Sequence, residues 1–174
     1  ILTSQTLMER VIGELGFSTT YYLEGRVQDM EVYHKDLPIK LIIKELHPAG
    51  YQRKIIIYPE DNNSFQLGEV GSDGKINLSP YKYGQEIRKP YAVFTVIEAG
   101  EASTARMREK LIVVFHDIRE LASYYSENLY VDPVNKSSNV LSIGLTDPVW
   151  KKSVDILNKL IEVYKSEAVE DKNA

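Results

Sequence analysis

The sequence has no cysteine, which excludes disulfide bonds and cysteine-ligated metal sites. It also has no apolar run near the roughly 18 residues needed to span a bilayer. The longest such runs, 55–58 and 111–115, have the length of strands. The 25 acidic residues outnumber the 21 basic ones, and the net charge of −4 gives no basic surplus for binding nucleic acid. We therefore exclude nucleic acid as a partner.

The common catalytic and nucleotide-binding motifs are also missing. The glycine-containing segment 68–75 suggests a phosphate-binding loop, but Glu69 occupies the position of the first required glycine. Ile76 stands where that loop requires serine or threonine after the lysine. No Gly-x-Ser-x-Gly sequence is present to form a nucleophile elbow. The glycines of this segment instead predict hairpin turns.

The three histidines, His34, His47 and His116, do not have the spacing of helical metal ligands. His116 precedes Asp117 and could form a catalytic dyad with it, although a histidine between a strand and a helix cap is the commoner arrangement. A glycosidase needs two carboxylates across a cleft, and acidic residues are plentiful, but the sequence singles out no pair. We predict no catalytic, cofactor-binding or metal site in this chain, and no enzymatic activity.

Two stretches have the apolar spacing of amphipathic helices. The first follows the helix-capping residue Ser4, or a capping box of Thr6 and Glu9, and stops at Gly16. The second starts at Asp117. Their predicted buried residues are Leu7, Met8, Val11, Ile12 and Leu15 in the first, and Ile118, Leu121, Ala122 and Tyr125 in the second.

The middle of the chain, about 17–97, is predicted to be rich in β-strands. Strands are expected at 39–43, 53–58 and 91–97, with turns at 59–63, 71–74 and 83–84. A loop is expected at 98–109, a buried strand at 111–115, and a connection at 132–138. The fold class is therefore α/β (α+β), with a mixed sheet packed by helices and a strand-helix-strand-helix C-terminal half. We expect a single domain over 1–174.

The segment 139–164 predicts a strand, an Asp147-Pro148 junction and a long helix that starts at Pro148. A 4-3-4-3 spacing predicts one buried stripe on this helix, made of Trp150, Val154, Leu157, Ile161 and Tyr164. Asn158 lies among these positions and is expected to be buried in a structural role. The charged residues are expected on the outer face: Lys151, Lys152, Asp155, Lys159 and Glu162.

The motifs at both ends of the chain resemble the extracytoplasmic domain of bacterial polysaccharide co-polymerases, which include chain-length determinants and capsular tyrosine autokinases. The strongest resemblance lies in Ser138-Asn-Val-Leu-Ser-Ile-Gly-Leu-Thr-Asp-Pro148 and the helix that follows it. A second lies in Leu2-Thr-Ser-Gln-Thr-Leu-Met-Glu-Arg-Val-Ile-Gly-Glu-Leu-Gly16, Tyr21-Tyr-Leu-Glu-Gly-Arg26, Glu31-Val-Tyr33 and Leu37-Pro-Ile39. Over 52–98 the chain resembles the family only in its pattern of short strands.

The resemblance implies a non-enzymatic domain on the periplasmic face of the inner membrane. Such a domain assembles into a ring and regulates the chain length or export of capsular, exo- or lipopolysaccharide. Its expected partners are other copies of itself and the polysaccharide polymerase and export machinery, with the polysaccharide as a further candidate. We interpret the chain, which begins at Ile1 without a signal peptide, as a fragment of a larger membrane-anchored protein. Whether that protein also carries a cytoplasmic tyrosine kinase stays open.

An alternative function is suggested by the 12 tyrosines, which outnumber the 4 phenylalanines and one tryptophan. Exposed tyrosine rings can stack on sugars, so the chain could be a carbohydrate-binding module. Half-buried strand positions also account for tyrosine, whose ring is apolar and whose hydroxyl is polar. The candidates for sugar contact are Tyr21, Tyr22, Tyr81, Tyr83, Tyr124 and Tyr125. Clustering of the last four on one open face would favour this alternative over the assembly domain.

Overall fold

The computed structural model describes residues 2–61, 63–99, 109–135 and 139–173, with side chains up to residue 169. The chain divides into two compact units. The first, here called the helical unit, combines residues 1–18 with 117–174, and the second, the β unit, spans 19–116. The described residues form three α-helices and eleven strands, which confirms the predicted α+β class. None of the described helices is long and apolar enough to cross a membrane.

The helical unit contains all three helices and one hairpin. These elements are α1 (Gln5–Leu15), α2 (Ile118–Glu127), β10 (Leu129–Pro133), β11 (Leu141–Leu145) and α3 (Trp150–Asn173). The β unit contains the remaining strands. They are β1 (Thr19–Leu23), β2 (Met30–Val32), β3 (Ile39–Leu46), β4 (Lys54–Pro59), β5 (Ser64–Val70), β6 (Ile76–Lys82), β7 (Glu86–Lys89), β8 (Ala92–Glu98) and β9 (Leu111–Phe115).

The β unit consists of two antiparallel sheets. Six strands follow the order β2-β1-β9-β4-β5-β6, and three follow the order β3-β8-β7. Side chains alternate along each strand, so every second residue of β9 points into the core. The core contains residues of both sheets, including Leu111, Val113 and Phe115 of β9. Ile112 and Val114 therefore lie on the opposite face of the six-stranded sheet.

Most of the predicted strands and turns of the β unit are confirmed. The strand expected at 39–43 is buried at Ile39 and Leu41, and a β-bulge between Ile43 and Glu45 interrupts its register further on. The turn at 71–74 closes through a 3.0 Å bond from the Gly74 N–H to the Gly71 carbonyl, with Gly74 at φ 76°. These glycines therefore serve a hairpin. Most of the loop expected at 98–109 lies outside the described residues.

In the helical unit, α1 packs against both α2 and α3. Its predicted apolar face is buried at Leu7, Met8, Val11 and Ile12. Gly16 ends the helix in the left-handed conformation, at φ 71°, as predicted. At α2, the Asp117 carboxylate accepts a 2.9 Å bond from the backbone N–H of Arg119, which confirms the predicted cap. Ser4 is the N-cap residue of α1, but no side-chain capping bond forms there.

The prediction for α3 was wrong by one residue. Trp150 is 69% exposed, and Val154 and Ile161 of the same predicted stripe are also exposed. Apart from Lys152, the buried positions are Ser153, Ile156, Leu160 and Val163. Each precedes a predicted position by one residue, which rotates the helix by about 100°.

Three further corrections concern the C-terminal segment. Asn158 is exposed on α3, so its predicted burial was wrong. Lys152, predicted on the outer face, is buried. The helix begins at Trp150, two residues after Pro148, and part of the connection expected at 132–138 belongs to β10. β10 pairs with β11 in an antiparallel hairpin, so this half of the chain has one strand more than predicted.

Candidate functional site

A cavity of about 350 Å³ opens on the face of the six-stranded sheet that points away from the core of the β unit. Its apolar surface comes from neighbouring strands, because Tyr22 on β1 is the cross-strand partner of Ile112 on β9. Val114, two residues along β9, lies on the same face and pairs with Lys54 of β4. The eight lining residues are Tyr22, Gln28, Asp29, Gln52, Lys54, Ile112, Val114 and His116.

Gln52 is held in an unusual backbone conformation at the edge of this cavity. Its φ of 60° makes it the single non-glycine residue with positive φ in the described part of the chain. The conformation costs about 1–2 kcal/mol in an L-residue. A 2.8 Å bond from the Gln52 N–H to the Phe115 carbonyl holds it there. Strained backbone conformations cluster at functional sites.

The opposite wall is a short loop between β1 and β2 that carries Gln28 and Asp29. A Cβ atom on Gly25 would lie 1.9 Å from the Gln28 carbonyl oxygen, so the loop requires glycine there. The close approach of Gly25 to Gln28 folds the loop back on itself and fixes the position of this wall.

His116 also lines the cavity, and its Nε2 lies 2.7 Å from the Thr20 hydroxyl oxygen. The Asp117 carboxylate is directed to Arg119, accepting bonds from its backbone N–H and its guanidinium. Burial acts to raise the pKa of Asp117, but these bonds and the Arg119 charge hold the pKa below its usual value. Asp117 therefore serves as a helix cap with a bound guanidinium.

The tyrosines proposed for sugar contact lie in different environments. Tyr21 is buried, and its hydroxyl accepts a 3.0 Å bond from the Leu41 N–H. Tyr81 and Tyr83 pack on Phe65 beside the core. Tyr125 is also buried. The four tyrosines at 81, 83, 124 and 125 therefore do not form one open aromatic face, whereas Tyr22 lines the cavity.

A buried polar cluster joins α2 to the start of α3 in the helical unit. The Asp147 carboxylate accepts a 2.8 Å bond from the Tyr125 hydroxyl and a 2.7 Å bond from the Val149 N–H. The Lys152 ammonium lies 3.5 Å from the same carboxylate. The side chains of Asp147 and Lys152 are only 3% and 9% exposed. This ion pair explains why Lys152 is turned inward.

A second polar cluster lies in the β unit around Glu69. Its carboxylate accepts bonds from the Lys89 ammonium and, at 2.7 Å, from the Tyr91 hydroxyl. Arg53 lies over the Tyr91 ring, 4.2 Å from its centroid. Burial acts to raise the pKa of Glu69, but the bonds from Lys89 and Tyr91 outweigh it and hold the pKa below its usual value. Burial and the Glu69 carboxylate raise the pKa of Tyr91.

A third feature is the outer side of α3, where large apolar residues remain exposed. The exposed fractions are 69% at Trp150, 44% at Val154 and 36% at Ile161. These residues, here called the α3 stripe, share one face of the helix by their spacing. Exposed apolar patches of this kind often mark contacts with another protein.

The sequence singled out Tyr22 and His116 but missed their neighbours in the cavity. Gln28, Gln52 and Lys54 are common surface residues with no motif spacing. They meet because β1, β9 and β4 are adjacent in the sheet. The requirement for Gly25 was the one local signal, since glycine often marks a tight turn.

Among the described residues, no three His, Cys, Asp or Glu side chains lie close enough together to hold a metal ion. No known protein family matches the chain in a comparison with family models. A search of curated proteins also finds no significant match.

Proposed function

We propose that this chain is a non-enzymatic assembly domain of a membrane-anchored protein that controls the chain length or export of a surface polysaccharide. The proposal takes its direction from the sequence resemblance at both ends of the chain. It is supported by an α+β fold in which a strand, an Asp-Pro junction and a long helix follow one another, as β11, Asp147-Pro148 and α3 do.

The main structural support for the assembly role is the exposed α3 stripe. We infer that it contacts a second copy of this chain. Charges of both signs lie beside it, at Lys151, Asp155, Glu162 and Lys165. A mixed pattern of this kind allows opposite charges to face one another when two copies meet. The stripe is small compared with obligate interfaces, which are usually large and apolar.

Tethering explains how a small contact can hold an assembly together. Copies anchored in one membrane have an effective concentration of about millimolar, which can raise avidity by 10²–10⁴ without a new contact. We therefore expect the chain alone to be monomeric or weakly associated, and the membrane-anchored protein to form a closed ring. A head-to-tail ring uses two different surfaces of each copy, so disrupting one of them breaks it.

The test compares two single substitutions in the detergent-extracted, membrane-anchored protein by light scattering. Val154→Glu places a charge in the α3 stripe and should convert the ring to smaller species. Val27→Glu is the matched control, because Val27 is fully exposed in the β unit. A monomeric wild-type protein, or a ring unaffected by Val154→Glu, would contradict the proposed assembly through α3.

A further inference from the structure

The cavity on the six-stranded sheet has the general make-up of a small-ligand site. Its volume of about 350 Å³ is at the lower end of the roughly 300–1,000 Å³ typical of such sites. One part of its surface is apolar, formed by the Tyr22 ring with Ile112 and Val114. The other lining side chains are polar. A ligand with an apolar face and a polar edge would match that arrangement.

The polar groups of the cavity are suited to hydroxyl groups. The amides of Gln28 and Gln52 can each donate and accept hydrogen bonds, as a hydroxyl group can. Asp29 adds an acceptor and Lys54 adds donors. The Asp29 carboxylate and the Lys54 ammonium have opposite charges that balance one another. Phosphate is typically bound by several cationic or N–H donors, so this lining does not favour phosphate. The groups fit an uncharged ligand with several hydroxyls.

The walls of the cavity are fixed by the backbone. The bond from the Gln52 N–H to Phe115 holds Gln52 at positive φ, and the packing of Gly25 on Gln28 fixes the opposite loop. His116 is positioned by Thr20. Less ordering is then required when a ligand binds, which favours binding by a small open site.

We propose that this cavity binds one sugar residue of an uncharged saccharide. The Tyr22 ring stacks on the apolar C–H face of the sugar, and the side chains of Gln28, Asp29, Gln52 and Lys54 bond to its hydroxyls. Tyrosine suits this role because its ring is apolar while its hydroxyl remains hydrated. The inference depends on the cavity alone and goes beyond the proposed assembly role, since it gives the domain a direct contact with carbohydrate.

The experiment is a nuclear magnetic resonance titration of the ¹⁵N-labelled chain. The probes are maltotriose, cellotriose and N,N′,N″-triacetylchitotriose, each up to about 10 mM because ligands this small bind weakly. Inorganic phosphate is titrated in parallel to test for an anion site. At least one saccharide should shift the amide signals of Gln52 and Ile112 more than phosphate does.

Two variants and one control connect the binding to the cavity. Tyr22→Ala should weaken saccharide binding about tenfold, which corresponds to the loss of one aromatic contact. Gln52→Ala tests the same site at an exposed position, in case Tyr22→Ala does not fold. Tyr130→Ala is the matched control, because Tyr130 is 58% exposed and lies outside the cavity.

The proposal is overturned if none of the three saccharides shifts these signals, if phosphate binds more tightly, or if both cavity variants bind like the wild type. These results concern the isolated chain and leave the ring test untouched. A monomeric wild-type protein, or a ring unaffected by Val154→Glu, together with intact saccharide binding would reject the assembly role alone. The expected ring result without saccharide binding would reject the cavity alone.

Discussion

The hydroxyl of Tyr125 donates a 2.8 Å hydrogen bond to the carboxylate of Asp147, a residue 22 positions away in the sequence. The bond links α2 to the segment that leads into α3. Lys152 completes the group from the first turn of α3. Because the Asp147 and Lys152 side chains are almost fully buried, the pairing of their opposite charges offsets part of the cost of removing them from water.

We expect Asp147→Ala to lower the free energy of unfolding by about 3–5 kcal/mol, since it leaves the Lys152 charge buried without its carboxylate. Tyr125→Phe should cost less, about 1.5–3 kcal/mol, because it removes one bond to a charged group. Urea denaturation followed by circular dichroism measures both. Nearly equal, small effects would show that the cluster is hydrated in solution. A double-mutant cycle would then give the coupling energy of the pair.

Trp150→Ala should change the free energy of unfolding by less than about 1 kcal/mol, because its side chain is largely exposed. Leu160→Ala is the matched comparison on α3. Leu160 is fully buried, so its truncation should cost about 2–5 kcal/mol. The wild-type fluorescence, which comes from one tryptophan, should be quenched readily by iodide. A loss of several kcal/mol for Trp150→Ala would restore the original prediction of a buried stripe.

Glu69→Gln should lower stability at neutral pH by roughly 1–3 kcal/mol, because Glu69 accepts bonds from a charged lysine and a tyrosine. The pKa of Glu69 is lower in the folded state than in the unfolded state, so its contribution is complete above the unfolded pKa. It is lost as the pH falls through the folded pKa. The two proteins should therefore converge in stability in acid.

Unfolding free energies measured from pH 7 down to strongly acidic conditions would show this convergence. Glu162→Gln serves as the control for a carboxylate at the surface, where ion pairs contribute little. The unfolding free energy of Glu162→Gln should follow the same pH dependence as that of the wild type. A constant difference in unfolding free energy between the wild type and Glu69→Gln across the pH range would show that the Glu69 charge does not contribute to stability.

Two glycine substitutions should have opposite effects. A Cβ on Gly50 would lie 2.8 Å from the Tyr91 carbonyl oxygen, so Gly50→Ala should destabilise by about 1–3 kcal/mol. Gly13 lies inside α1 with no atom within 4 Å of the added carbon, so Gly13→Ala should stabilise by about 0.5–1 kcal/mol. Thermal melts of the two variants test the signs. Stabilisation by Gly50→Ala would show that this close approach relaxes without cost.

The sequence predicted α1 well because Leu7, Met8, Val11 and Ile12 form one unambiguous apolar face. It failed at α3 because apolar residues occur there in adjacent pairs. The pairs 156–157, 160–161 and 163–164 form two neighbouring stripes of similar hydrophobicity. The register of α3 instead buries the stripe headed by Ser153, with Lys152 inside against Asp147. The Asp147 carboxylate of that ion pair is also bound by the Tyr125 hydroxyl, 22 positions away, and helical periodicity contains no such contact.

The cavity could not be predicted from the sequence for a related reason. Tyr22 and Ile112 are 90 positions apart, and they meet because β1 pairs with β9. Local propensity predicts that strands exist but does not specify which strands are neighbours. Gln52 depends on a second such pairing, that of β4 with β9, since its positive φ is maintained by a bond to Phe115 at the end of β9.

The pairing of Thr19 with Phe115 places the two ends of the β unit on adjoining strands. Directly opposite residues in an antiparallel ladder are about 5 Å apart, so the chain enters and leaves this unit at almost one point. Because its two ends lie side by side, the β unit can gain or lose hairpins without changing the distance between the two points where it joins the rest of the chain. Related proteins could therefore carry β units of very different size between the same two helices, α1 and α2.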